Sequence, residues 1–158
     1  MGKQLLILIP LLLLFLSCNQ SETREIKREN ITTTAITTTT MPSINNVYKK
    51  YKEAFSVAKK TNKPVFILFT TKHCRWCKKL KETTLKESQI VDALNADFIV
   101  LLLDKNQSPY PSKYRVSAVP AVYITDKNEE VFTSIVGYHK NPHDYMKWFN
   151  YIKIELYN

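Results

Sequence analysis

Glycine is almost missing from this 158-residue chain, which has only Gly2 and Gly137. A loop that cradles phosphates needs clustered glycines, so nucleotide chemistry of that type has nothing to stand on. Cysteine is scarce too, with Cys18, Cys74 and Cys77 and a single C-x-x-C. A structural zinc site usually takes four ligands, and the only supplements, His139 and His143, lie far from Cys77 at no finger-like spacing. A zinc-binding structural protein is therefore the weaker alternative, and no metal is expected. Acids are outnumbered, 14 against 23 lysines and arginines, for a formal charge of +9. The basic residues are spread through helical segments with no aromatic-basic motif of a nucleic-acid module. Solvated helix faces near anionic lipid account for them better, and no nucleic-acid partner is expected.

The chain also lacks an apolar run long enough to cross a bilayer in its first residues. Leu5–Leu16 falls short of the ~20 residues a spanning helix needs. With Lys3 ahead of it, the run reads as the apolar region of a signal peptide, residues 1–17. Phe15-Leu16-Ser17-Cys18 resembles the lipobox of bacterial lipoproteins. That resemblance implies that Cys18 is acylated, for example with palmitate, and becomes the mature N-terminus. A lipid on Cys18 would also explain an odd cysteine count in an exported protein. Residues 18–43 are polar and threonine-rich, too poor in apolar surface to offset their ordering entropy. They read as a tether that lets a domain at 44–158 sample roughly 25 to 30 Å from the membrane.

Periodicity begins near Val47. Val47, Tyr51, Ala54, Phe55 and Ala58 recur at helical spacing and predict a helix from about Val47 to Lys60, ended by Asn62-Lys63-Pro64. Val65–Thr70 and Phe98–Leu103 are continuous apolar runs suited to strands buried on both faces. Between them, Cys74 to about Thr84 reads as a helix, and Ser88 is placed to cap a second one carrying Ile90, Val91 and Leu94. Val119–Ile124 and Val131–Val136, joined by a polar turn, predict an antiparallel hairpin. Asn141 as N-cap and Pro142 at the first helical position open a last helix with an apolar stripe of Tyr145, Trp148, Phe149 and Ile152. This order implies an α/β fold, a central mixed sheet flanked by helices.

The chemistry lies in Cys74-Arg75-Trp76-Cys77, between the first buried strand and a helix. A cysteine at a helix N-terminus meets unpaired N–H groups and the positive end of the dipole, which favour its thiolate. His73, Arg75, Lys78 and Lys79 add positive charge in the same turn. Cys74 is thus the expected nucleophile. Cys77, one turn further, is placed to resolve a mixed disulfide. The redox-active disulfide needs no other cofactor. An inert stabilising disulfide is the competing reading.

Three features together resemble the thioredoxin family over about Val47 to Tyr157: the strand-to-helix Cys74–Cys77 turn, the segment Tyr114–Pro120, and Val136-Gly137 at the end of the hairpin. Lys63-Pro64 and Trp76 are similar to exported thioredoxin-like modules related to the C-terminal domain of the disulfide-transfer protein DsbD. The resemblance implies a thioredoxin-like fold and a cis Pro120 beside the two sulfurs. It also implies that the Val119 main chain pairs with an extended substrate strand. Two departures stand out: Leu68 where thioredoxin has a buried acid, and His73 where it has tryptophan. The implied function is a thiol-disulfide oxidoreductase, tethered to the membrane and facing the periplasm, with Cys74 and Cys77 supported by His73, Arg75 and Trp76. Its partners would be cysteine-containing exported proteins and a separate electron-transfer protein, with the reductase direction favoured. A non-catalytic peptide-binding module is the alternative.

Overall fold

The structure, a computed structural model, describes residues 43–157. The expected signal peptide, Cys18 and nearly all of the expected tether lie outside the described residues. The chain runs β1 (Val47–Tyr48), α1 (Tyr51–Thr61), β2 (Val65–Thr70), α2 (Arg75–Glu82), a 3-10 turn (Thr84–Lys86) and α3 (Ser88–Asp97). It continues through β3 (Ile99–Asp104), β4 (Ala121–Thr125) and β5 (Val131–Val136) to α4 (His143–Tyr157). The strands form one mixed sheet in the order β1-β3-β2-β4-β5. β3 is parallel to β1 and β2, while β4 is antiparallel to both β2 and β5. This is the α/β architecture expected from the sequence.

The unbroken apolar runs make sense once the two faces of the sheet are separated, because successive side chains along a strand point to opposite sides. Phe66 and Leu68 of β2, Val100 of β3 and Val122 and Ile124 of β4 pack with α2, α3 and α4 through Leu80, Leu94, Tyr145, Phe149 and Ile152. The alternate positions, Val65, Ile67, Phe69, Ile99, Leu101, Leu103, Ala121 and Tyr123, pack beneath α1. On that second face α1 is joined by the β3–β4 connection, where Pro109, Pro111 and Pro120 oppose helix formation. Its tyrosines cover the sheet instead. Tyr110 lies 4.8 Å from the Phe69 ring, and the Tyr114 hydroxyl is 3.0 Å from that of Tyr51. Burial pushes the Tyr114 phenol up to about 12, so it stays neutral at physiological pH. Burial also acts to raise Glu129, but Lys113, 3.0 Å away, helps outweigh it and holds this carboxyl below its ordinary value.

Some boundaries differ from those expected. Val47 and Tyr48 are a short strand beside β3, and α1 begins only at Tyr51. Asn62 ends α1 in the left-handed region at φ 56°, its N–H bonded to the Ala58 carbonyl. α2 stops at Glu82, and a 3-10 turn takes up Thr84. Ser88 lies inside α3, whose N-cap position is Glu87. At α4 the Asn141 side chain accepts the His143 N–H at 3.0 Å, while the Pro142 carbonyl takes the Tyr145 and Met146 amides.

Candidate redox site

β2 delivers the chain to a tight turn in which the Cys74 N–H donates to the Thr71 carbonyl at 3.2 Å. Cys74 is the N-cap of α2, in extended conformation, and its sulfur accepts the Cys77 N–H at 3.0 Å. The two cysteines are joined in a disulfide. Their exposure is unequal. Cys74 is half-buried and Cys77 is 2% exposed. An incoming thiol or disulfide therefore reaches Cys74, while Cys77 can act only on what is already attached there.

The Val119–Pro120 peptide bond is cis. The Pro120 carbonyl accepts the Gly137 N–H at 2.8 Å, which ties this bend to the end of β5. Val119 is partly exposed and makes no backbone hydrogen bond among the described residues. Its peptide groups are thus free to pair with an added strand. Trp76, Val119, Pro120, Gly137 and Tyr138 line one shallow groove of about 290 Å³. A larger cleft of about 760 Å³, lined by Tyr51, Tyr110 and Glu129 among others, holds none of the redox residues. The smaller groove is the one that brings together the cis bend and a residue of the cysteine motif.

Gly137 is needed at its position for conformational reasons. Its φ is +94°, and a Cβ there would meet nothing within 4 Å, so any cost of a side chain is backbone strain. Gly137→Ala is expected to lose about 1–3 kcal/mol of stability in chemical unfolding. An unchanged unfolding midpoint would show that the turn relaxes freely.

The structure sorts the supporting residues expected from the sequence. Trp76 stacks on Tyr138, with ring centroids 5.5 Å apart and planes 20° from parallel, and the residue as a whole remains 46% exposed. The Arg75 guanidinium lies 5.2 Å from the Trp76 ring centroid. His73 is exposed, with no hydrogen bond or ion pair to the sulfurs among the described residues. His139 is held by Asp144 at 3.1 Å and by the Val136 carbonyl at 3.3 Å, well apart in role from the cysteines. Among the described residues no three or more His, Cys, Asp or Glu side chains gather as a metal site. Tyr138 is the residue the sequence did not single out. Its partnership with Trp76 spans two distant segments and leaves no local pattern. Its position directly after Gly137 was the only available hint.

A family model described as a thioredoxin-like domain matches residues 51–153. Spermatogenesis-associated protein 20 of Mus musculus is 34% identical over 70 residues, covering 44% of this chain and 9% of that protein. Anterior gradient protein 3 of Mus musculus is 32% identical over 96 residues, covering 58% of this chain and 55% of that protein. The chain thus spans about half or less of the length of these curated relatives. Among solved structures, a thioredoxin from Thermus thermophilus superposes with a TM-score of 0.59 at 19% identity, over 70% of this chain and 88% of the other. The oxidoreductase DsbH gives 0.52 at 19% identity, over 72% and 86%. At these identities the structural likeness speaks to the fold alone.

Proposed function

This chain belongs to the thioredoxin-like domain family, and on that premise we propose that it is a membrane-tethered thiol-disulfide oxidoreductase acting on exported proteins. The observation that carries the reading is the pairing of a half-buried Cys74 at a helix N-terminus with a buried Cys77, close to a groove built on a cis proline. In the reductase direction, the Cys74 thiolate attacks one sulfur of a client disulfide. The other client sulfur leaves as a thiolate and takes a proton from solvent. Cys77 then loses its proton and attacks the Cys74 sulfur. The client departs with two thiols, and this chain keeps the two-electron oxidation as the Cys74–Cys77 disulfide. A separate dithiol protein must reduce it again.

The chain's own groups support each step. In the disulfide, Cys74 Sγ already accepts the Cys77 amide, and the same amide and the α2 dipole favour the thiolate after reduction. The free Val119 main chain and Pro120 hold an extended client segment beside the sulfurs. Tethering rests on the lipoprotein-like signal ending at Cys18, and the reductase direction on the resemblance to DsbD-like exported modules. The envelope, with the domain facing the periplasm, is the corresponding location.

The test is a trap. Cys77→Ser leaves Cys74 able to attack but removes the resolving thiol, so mixed disulfides with exported proteins are expected to accumulate and to be identifiable by mass spectrometry after alkylation. A Cys77→Ser protein that captures no client covalently, yet binds the same partners as the parent, is a peptide-binding module.

A further inference from the structure

Trp76, which lies between the two cysteines in the chain and lines the groove with Tyr138, has cations over its ring. Lys79 Nζ lies 5.3 Å from the Trp76 centroid and 5.2 Å from that of Tyr138, and Arg75 lies 5.2 Å from Trp76. Ring faces attract such cations and limit where they sit. Neither Arg75 nor Lys79 is ion-paired with a carboxylate among the described residues. Around them, Lys72, Lys78 and Lys81 add charge, and no Asp or Glu occurs in this stretch before Glu82. Glu82 itself faces Lys78 at 3.9 Å on an exposed surface, an arrangement that neutralises little.

Resting on the exchange reading above, we propose that this groove selects client segments carrying Asp or Glu beside the reacting cysteine. A carboxylate next to a client disulfide bound along Val119 and Pro120 comes within reach of the Arg75 and Lys79 side chains. Trp76 and Tyr138 supply the flat apolar wall against which the segment's neighbouring side chain packs. Because Arg75 and Lys79 sit on aromatic faces, less of their freedom is lost when the carboxylate arrives. Complementary charge acts mainly on encounter and register, so the preference shows in association rate and fades with salt. A basic client segment meets like charge in the same place and is disfavoured.

The experiment uses the reduced full chain and three short disulfide peptides that differ only in the residues flanking the cysteines: aspartate, serine or lysine. Second-order rate constants are read from single turnovers by the change in tryptophan fluorescence and checked by mass spectrometry of the reduced peptides. The aspartate peptide is expected to react about tenfold faster than the serine peptide at low salt, and the lysine peptide slower still. At about 0.5 M salt the three rates should draw together. In Arg75→Gln/Lys79→Gln the ratio of aspartate to serine rates should fall to about two, whatever happens to the absolute rates. Equal rates for all three peptides at low salt overturn the proposal but leave exchange intact. So does a ratio untouched by the double substitution. Binding of anionic vesicles that vanishes in the double variant, with flat peptide rates, would reassign the basic face to lipid. If none of the peptides is reduced, it is the exchange reading that fails.

Discussion

Replacing Cys74 with serine is expected to lower the rate of disulfide exchange by at least about a thousandfold, with almost no loss of stability in the reduced protein. The rate falls because a serine hydroxyl is not ionised near neutral pH and cannot attack sulfur as a thiolate does. The stability survives because Cys74 is the N-cap of α2, a position that serine serves well, its oxygen replacing sulfur as acceptor of the Cys77 N–H. Cys77→Ser behaves differently on both counts. It stops the reaction at the mixed disulfide, and it introduces a hydroxyl at a site only 2% exposed, costing about 1–2 kcal/mol unless a partner is found. Stopped-flow exchange kinetics beside denaturant unfolding of the reduced proteins separates the two effects. Residual fast exchange in Cys74→Ser would mean that Cys77 is reached directly, contrary to its burial.

The asymmetry of the two cysteines was only half visible in the sequence. Spacing and the following helix placed Cys74 at an N-terminus, but the difference in exposure depends on how the helices pack against the sheet. The strands were legible for a simple reason. β2, β3 and β4 lie in the middle of the sheet with both faces covered, so their apolar runs carry no polar interruptions. β1 was not legible. Its two residues form their pairing with Val100 and Leu101 far along the chain, and Val47 also satisfies the helical spacing of Tyr51, Ala54 and Ala58. Ser88 misled for another reason: it is a good capping residue, yet the 3-10 turn Thr84–Lys86 already sets the chain direction and leaves Glu87 at the cap. At the site, the Trp76–Tyr138 stack joins two segments that only the fold brings together. His73 suggested an electrostatic role by its place in the sequence, but the turn directs it to solvent.

Leu68 was legible as a departure, and the structure gives it a physical consequence. It is 4% exposed in the centre of the sheet, between Leu102 and Val122, and packs in the cluster that includes Phe66, Leu80 and Leu85. Leu68→Asp is expected to cost about 3 kcal/mol even with the carboxyl neutral, through lost apolar burial and poor packing. The penalty should grow with pH. Burial in this apolar neighbourhood raises the folded-state value of the new carboxyl above its ordinary value near 4. The folded variant therefore suffers least below pH ~4, where both states are protonated. It then loses about 1.4 kcal/mol for each unit of that shift as pH rises through the folded value. Lys81 and Leu68 line one small cleft together, but Lys81 is itself exposed, so it compensates only in part. The same substitution supplies an internal proton acceptor on the face that α2 covers, which Leu68 cannot be. Decay of the mixed disulfide on Cys74 should therefore be faster in Leu68→Asp than in the parent, though the variant is less stable. Unfolding at pH 5 and pH 8 tests the first half: equal stability losses at the two pH values would mean that the carboxylate is hydrated. Single-turnover decay of a preformed mixed disulfide tests the second. An unchanged decay rate would show that Cys77 surrenders its proton by a route that does not pass through position 68.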